Sequence, residues 1–119
     1  MENKERQNVV ISKERIIKIK KIGLRVTKRL EDSDLSMISN QIYNVLDYFW
    51  RKERPKDVGI TYTQIGDLLN LNHMTIWKHV KKMRDDGYFE TYHAGLPKRQ
   101  FYKNPYDAES EMEYEVLND

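Results

Sequence analysis

Between Leu71 and Lys82 the chain reads LNHMTIWKHVKK, and its side chains are of two kinds. On a helix turning about 100° per residue, with Ile76 at zero, Val80 lies near 40° and Met83 near −20°, which makes one apolar stripe. Met74 at about 160°, Lys78 at about 200° and Lys81 at about 140° lie opposite, Trp77 at about 100° flanks them, and Thr75 and Lys82 line the other side. Ammonium groups donate hydrogen bonds to anions and to acceptor-bearing edges, whereas an outward Met or Trp gains free energy only when a partner covers it. Cations interleaved with large apolar groups therefore suit a groove walled by anions and floored by flat, partly apolar edges. Blander roles exist for each residue. Trp77 and His73 are four apart and can stack, Met74 can fill a dimer interface, and Lys81 and Lys82 alone would be a solvated face.

The elements around this segment must hold it. Leu35, Ile38, Ile42, Val45, Leu46 and Phe49 are spaced by threes and fours, predicting a long amphipathic helix from about Asp34 to Arg51, capped by Ser33 or Asp34 and closed by RKERP. Thr61 and Gln64 have the spacing of a capping box, predicting a helix over Tyr62–Leu69 that buries Ile65, Leu68 and Leu69. NLN is a turn, Asn72 caps the next helix from His73 to about Asp86, and Gly87 ends it. YFETYH and RQFYKN flank AGLPK as the strands of a β-hairpin. Residues 9–30 are rich in β-branched residues and alternate in IKIK, which favours extended structure, although Ser12 and Gly23 would also bracket a ten-residue helix.

Composition narrows the function classes. The 119 residues suffice for one core, 34% of them are charged, and no apolar run approaches the roughly 20 residues of a membrane span. The absence of cysteine removes disulfide and thiolate chemistry and makes a cytoplasmic setting the default. The net charge of +2 hides a gradient: residues 1–30 hold ten Lys/Arg against three Glu, a balance of +7, and residues 106–119 hold six acids and no base, a balance of −6. That polarity fits a basic arm for a polyanion and an acidic tail, or two solvated, mutually attracting ends. The predicted organisation is a basic arm, or extra strand or helix, over 1–30, a domain over 31–105, and an acidic tail over 106–119.

Enzyme chemistry has little support. His73, His79 and His93 form no metal-ligand spacing, and no Gly-rich phosphate loop or Ser/His/Asp motif is present. Asp85 and Asp86 are adjacent on a helix and point about 100° apart, so they are surface residues. No enzyme activity, cofactor, metal or small-molecule effector is expected.

The run ITYTQIGDLLNLNHMTIWKHVKKMRDDGYFE resembles the winged helix-turn-helix DNA-binding domains: capped positioning helix, tight turn, recognition helix, and Gly before the first wing strand. The resemblance covers about residues 34–104 and implies an α+β, mainly α fold of three helices plus a β-hairpin wing. It implies a recognition helix in the major groove and a wing on an adjacent groove or phosphate. The N-terminal end of such a helix enters deepest, so His73, Met74, Thr75, Trp77 and Lys78 are the expected base readers. Lys81, Lys82, Lys98 and Arg99 are the expected phosphate and wing contacts, joined by Tyr62 and Thr63 at a helix N-terminus. GLP in the wing also resembles winged domains that bind left-handed duplexes, but Trp77 and Lys81 stand where those carry Asn and Tyr, and Lys98 where they carry Pro.

The function implied is sequence-preferring binding of double-stranded DNA by a small transcriptional regulator acting as a homodimer. One alternative is a replication or partition factor of a plasmid or virus. Another is a winged helix used for protein contact through the acidic tail and the aromatic segment YNVLDYFW, residues 43–50.

Overall fold

Ser12 and Gly23 decide the conformation of the isoleucine-rich segment between them. In the structure, a computed structural model that describes residues 7–23 and 35–108, the extended part is strand β1, Asn8–Val10. Lys13–Ile22 is a helix, α1, so the expectation of extended structure is corrected for residues 13–22, where the bracketing by Ser12 and Gly23 decides instead. The Ser12 side chain accepts from the Arg15 amide, Lys20 and Lys21 sit at the carbonyl end, and Gly23, at φ 87°, donates its N–H to the Ile19 carbonyl. Two caps and the joint burial of Ile16 and Ile19 outweigh the modest strand preference of β-branched residues. Residues 24–30 lie outside the described residues.

Helix α2 spans Met37–Glu53. Its cap is Ser36, whose side chain accepts from the Ser39 amide at 3.2 Å; the expected caps Ser33 and Asp34 lie outside the described residues. Ile42, Val45, Leu46 and Phe49 are buried as their spacing predicts, and Trp50 is buried with them. Within the aromatic segment 43–50, Phe49 and Trp50 are fully enclosed and Tyr43 packs edge-on against Trp50, while Tyr43 and Tyr48 stay half-buried.

Strand β2, Asp57–Gly59, follows, then helix α3, Tyr62–Leu69, and helix α4, His73–Asp85. The capping box is present in both directions: Thr61 Oγ1 accepts from Gln64 N and Gln64 Oε1 from Thr61 N, each at 3.0 Å. Asn72 caps α4, and Gly87, at φ 89°, takes the left-handed conformation beyond its end. Strands β3, Thr91–Ala94, and β4, Arg99–Tyr102, form the hairpin.

The sheet order is β1-β2-β4-β3, with β1 parallel to β2 and the other pairs antiparallel. The core three helices and hairpin are therefore the α+β, mainly helical winged arrangement expected, extended at the front by β1 and α1. β1 covers the edge of β2, and α1 returns along α3, where Gln64 Nε2 donates to the Ile11 carbonyl at 3.0 Å.

A buried polar network straps residues 103–106 to the far side of α2. Asn104 Nδ2 donates to the carbonyls of Trp50 and Lys56 at 2.8 and 2.7 Å, and Asn104 N donates to Asp57 Oδ1 at 2.8 Å. The Tyr106 hydroxyl donates to Asp47, which also pairs with buried Arg51 at 3.0 Å. Asp57 and Asp47 accept hydrogen bonds here and Arg51 is ion-paired to Asp47, the kind of pairing under which buried charge is tolerated.

Candidate nucleic-acid interface

The relation of α4 to α3 depends on a single small residue. Gly66 lies in α3 where an added Cβ would come within 2.4 Å of the Leu71 carbonyl oxygen, closer than any real contact. The Gly66 carbonyl accepts the Leu71 N–H at 2.8 Å, and Asn70 takes the left-handed conformation at φ 60°. The turn is thereby closed in three residues, and α4 starts at a defined angle to α3. Asn72 Oδ1 accepts from Met74 N at 2.7 Å and fixes the first turn.

Ile76, Val80 and Met83 anchor α4 in the core, as the periodicity predicts. Ser39 Oγ and His79 Nδ1, 2.9 Å apart, add a polar tie between α2 and α4. The rest of the helix faces outward. His73, Met74 and Lys78 are exposed, Thr75 is half-buried, and Trp77 keeps 39% of its surface accessible, so it is not a core residue. Met74 keeps 50%. The structure thus leaves two large apolar groups beside a cation at the N-terminal half of α4, exposed among the described residues.

The C-terminal half differs. Lys81 Nζ lies 3.3 Å from Asp85 and Lys82 Nζ 3.1 Å from Asp86, all four side chains being largely exposed. Such i,i+4 pairs are worth about 0.3–0.5 kcal/mol, and here the acids stand at the negative end of the helix dipole, which lowers that further. Both lysines can therefore turn to a phosphate at little cost, but their net field is smaller than their number implies.

The wing stands beside the start of α3. Gly95 turns at φ 91°, Leu96 at the tip is 99% exposed, and Lys98 and Arg99 follow, both exposed. The base is stiffened by Tyr92 stacked on Phe101 with centroids 5.6 Å apart, whose ring lies where a Cβ on Gly59 would be. A recess of about 340 Å³ separates wing from helix, lined by Thr61, Tyr62, His93, Lys98, Arg99 and Gln100 among others. Gln100 Nε2 donates to the Tyr62 hydroxyl at 3.1 Å, leaving that hydroxyl its own hydrogen to give, and Thr63 is exposed one residue further on.

The structure brings His73, Met74, Trp77 and Lys78 to one surface, and Tyr62, Lys98 and Arg99 to another beside it. Sequence reasoning missed the positions taken by Gly66, Gln100 and His93. A glycine inside a helical pattern ahead of NLN was the available signal for Gly66. Gln100 and His93 had none, because their role comes from the juxtaposition of wing and helix. Among the described residues no cluster of three His, Asp or Glu side chains is arranged to hold a metal ion, and no helix is long and apolar enough to cross a membrane.

Residues 56–90 match a family model described as winged helix-turn-helix DNA-binding. The matched segment runs from β2 through α3, the turn and α4 to the first residues before the wing. No significant match was found among curated proteins or among solved structures.

Proposed function

From the premise that residues 56–90 are a winged helix-turn-helix segment of the DNA-binding family, we propose that the chain binds double-stranded DNA with sequence preference and regulates transcription as a homodimer. The observation that carries this reading is the N-terminal half of α4. Met74 and Trp77 stay exposed beside Lys78 on the helix that follows a glycine-tightened turn. In a major groove, Lys78 would meet guanine acceptors or phosphate, and Met74 and Trp77 would cover thymine methyl groups and base edges. His73 and Thr75 would complete the reading edge. Lys98 and Arg99 on the wing, Tyr62 and Thr63 at the start of α3, and Lys81 and Lys82 would hold phosphates and set the register.

Size is what supports the dimer reading. One module of this kind buries about 600–1,000 Å² of protein surface on DNA, short of what tight specific binding usually requires. Two copies on half-sites about one helical turn apart would double it, with occlusion or recruitment at a promoter as the mechanism. Exposed Val10, Ile22 and Met37 are apolar groups available for such contact.

Selection of bound sequences from a random duplex pool, beside a mass measurement of the complex, tests the proposal. Enrichment of a palindrome bound by two chains is expected. Absence of enrichment overturns sequence preference, one chain per duplex overturns the dimer, and tandem copies on iterated sites would favour a replication or partition role.

A further inference from the structure

We infer that α1 is a second DNA-contacting element, a rigid track for the phosphates flanking the site bound by α4; this rests on the proposed DNA binding. The sequence of α1, KERIIKIKKI, divides by angle. With Ile16 at zero, Ile19 falls near −60° and the two define the buried side. Arg15, at about −100°, turns toward α2, where it pairs with Glu53 and lies over the Phe49 ring. Lys20, at about 40°, turns the other way to α3, with Nζ 3.6 Å from Asp67. Next on that side come Lys13, Ile17 and Lys21 at about 60°, 100° and 140°, one ridge at i, i+4 and i+8. Lys13 and Lys21 are exposed, and Ile17 is 57% exposed between them.

The ridge is continuous with the proposed interface. Asp67, the partner of Lys20, lines the recess at the turn together with Thr63, Asn72 and His73, the last being the first residue of α4. The exposed side of α3 thus lies between the reading helix and the ridge, so a duplex seated on α4 and the start of α3 continues toward Lys13 and Lys21. The chemistry fits phosphate and sugar rather than bases: lysine is a point charge on a flexible stem, and a branched aliphatic group between two lysines suits a sugar edge. Lys18, near 200°, belongs to the same helix and carries the same charge, yet faces away from α3.

The test compares Lys13→Ala/Lys21→Ala with Lys18→Ala in the full chain, titrated against the selected duplex over a range of salt. All three side chains are exposed, so the melting temperatures should match the parent. The double variant should make the slope of log affinity against log salt shallower by about 2, with Lys18→Ala close to the parent. The helix is about 15 Å long, so lengthening the duplex by about four base pairs beyond the site should tighten the parent and not the double variant. An unchanged slope in the double variant, an equal change per charge from Lys18→Ala, or an altered oligomeric mass overturns the inference. A parent that binds DNA while the double variant behaves like it overturns this inference alone; a parent that binds no duplex overturns the DNA reading as well.

Discussion

Helices α1 and α4 are built alike and present different surfaces. Each buries a narrow isoleucine-bearing stripe, Ile16 and Ile19 in one and Ile76, Val80 and Met83 in the other, and each turns lysines outward. On α4 the outward lysines toward the C-terminus are matched by Asp85 and Asp86, while the N-terminal half shows Met74 and Trp77 beside Lys78. On α1 the ridge of Lys13, Ile17 and Lys21 has no aromatic group. The core stripe places a helix without saying what its other side is for. That is told by the residues that would be wasted on water, and these underlie the proposals of base reading by α4 and backbone contact by α1.

The contrast can be broken first at the turn that aims α4. Gly66→Ala would drive a Cβ against a backbone carbonyl that cannot move without opening the turn. We expect a loss of about 3 kcal/mol in stability, measured by denaturant unfolding, with DNA binding falling in parallel. Helix α1, which carries its own caps, has no such dependence on one residue.

The strap on α2 provides a control that involves none of the proposed DNA-contacting residues. Tyr106→Phe removes a donor from buried Asp47 and should cost about 1–2 kcal/mol in thermal stability while leaving DNA affinity intact. Burial, with the nearby Tyr62 adding to it, pushes the Tyr102 phenol well above its ordinary value; burial and then the bond to Asp47 do the same to Tyr106. The folded protein therefore holds protons that the unfolded chain releases. Stability from these groups is complete below about pH 10 and should be lost as pH rises above it, in unfolding measured against pH.

Smaller effects separate the wing from the paired end of α4. Arg99→Ala should weaken binding to all duplexes alike and flatten the salt slope by about 0.9, whereas Lys81→Ala, which leaves Asp85 to Arg84, should shift stability by under about 0.5 kcal/mol. Anisotropy titrations at several salt concentrations and a thermal melt measure both.

Much of this layout was legible because its signals are local. Thr61 with Gln64, Asn72, and Gly87 mark the helix ends through bonds between residues a few positions apart, and the three-four spacing of Ile76, Val80 and Met83 named their burial correctly. Residues 13–22 carry both signals, branched side chains that weakly favour a strand and the brackets Ser12 and Gly23, and the packing of Ile16 and Ile19 that decides for the helix is tertiary. The pairing of Asn8–Val10 with Asp57–Gly59 joins segments some fifty residues apart, and the bond from Tyr106 to Asp47 likewise has no local trace. At the interface, the outward position of Trp77 was legible from helix angle, but the Asp partners that temper Lys81 and Lys82 had been read only as surface residues.

The most direct test of base reading by the start of α4 is to repeat the duplex-pool selection with Lys78→Ala beside the parent. The variant should still bind, about 1–3 kcal/mol more weakly, and its preference should fade at one or two positions of each half-site while the others persist. An identical selected sequence at undiminished affinity would contradict base reading at this position.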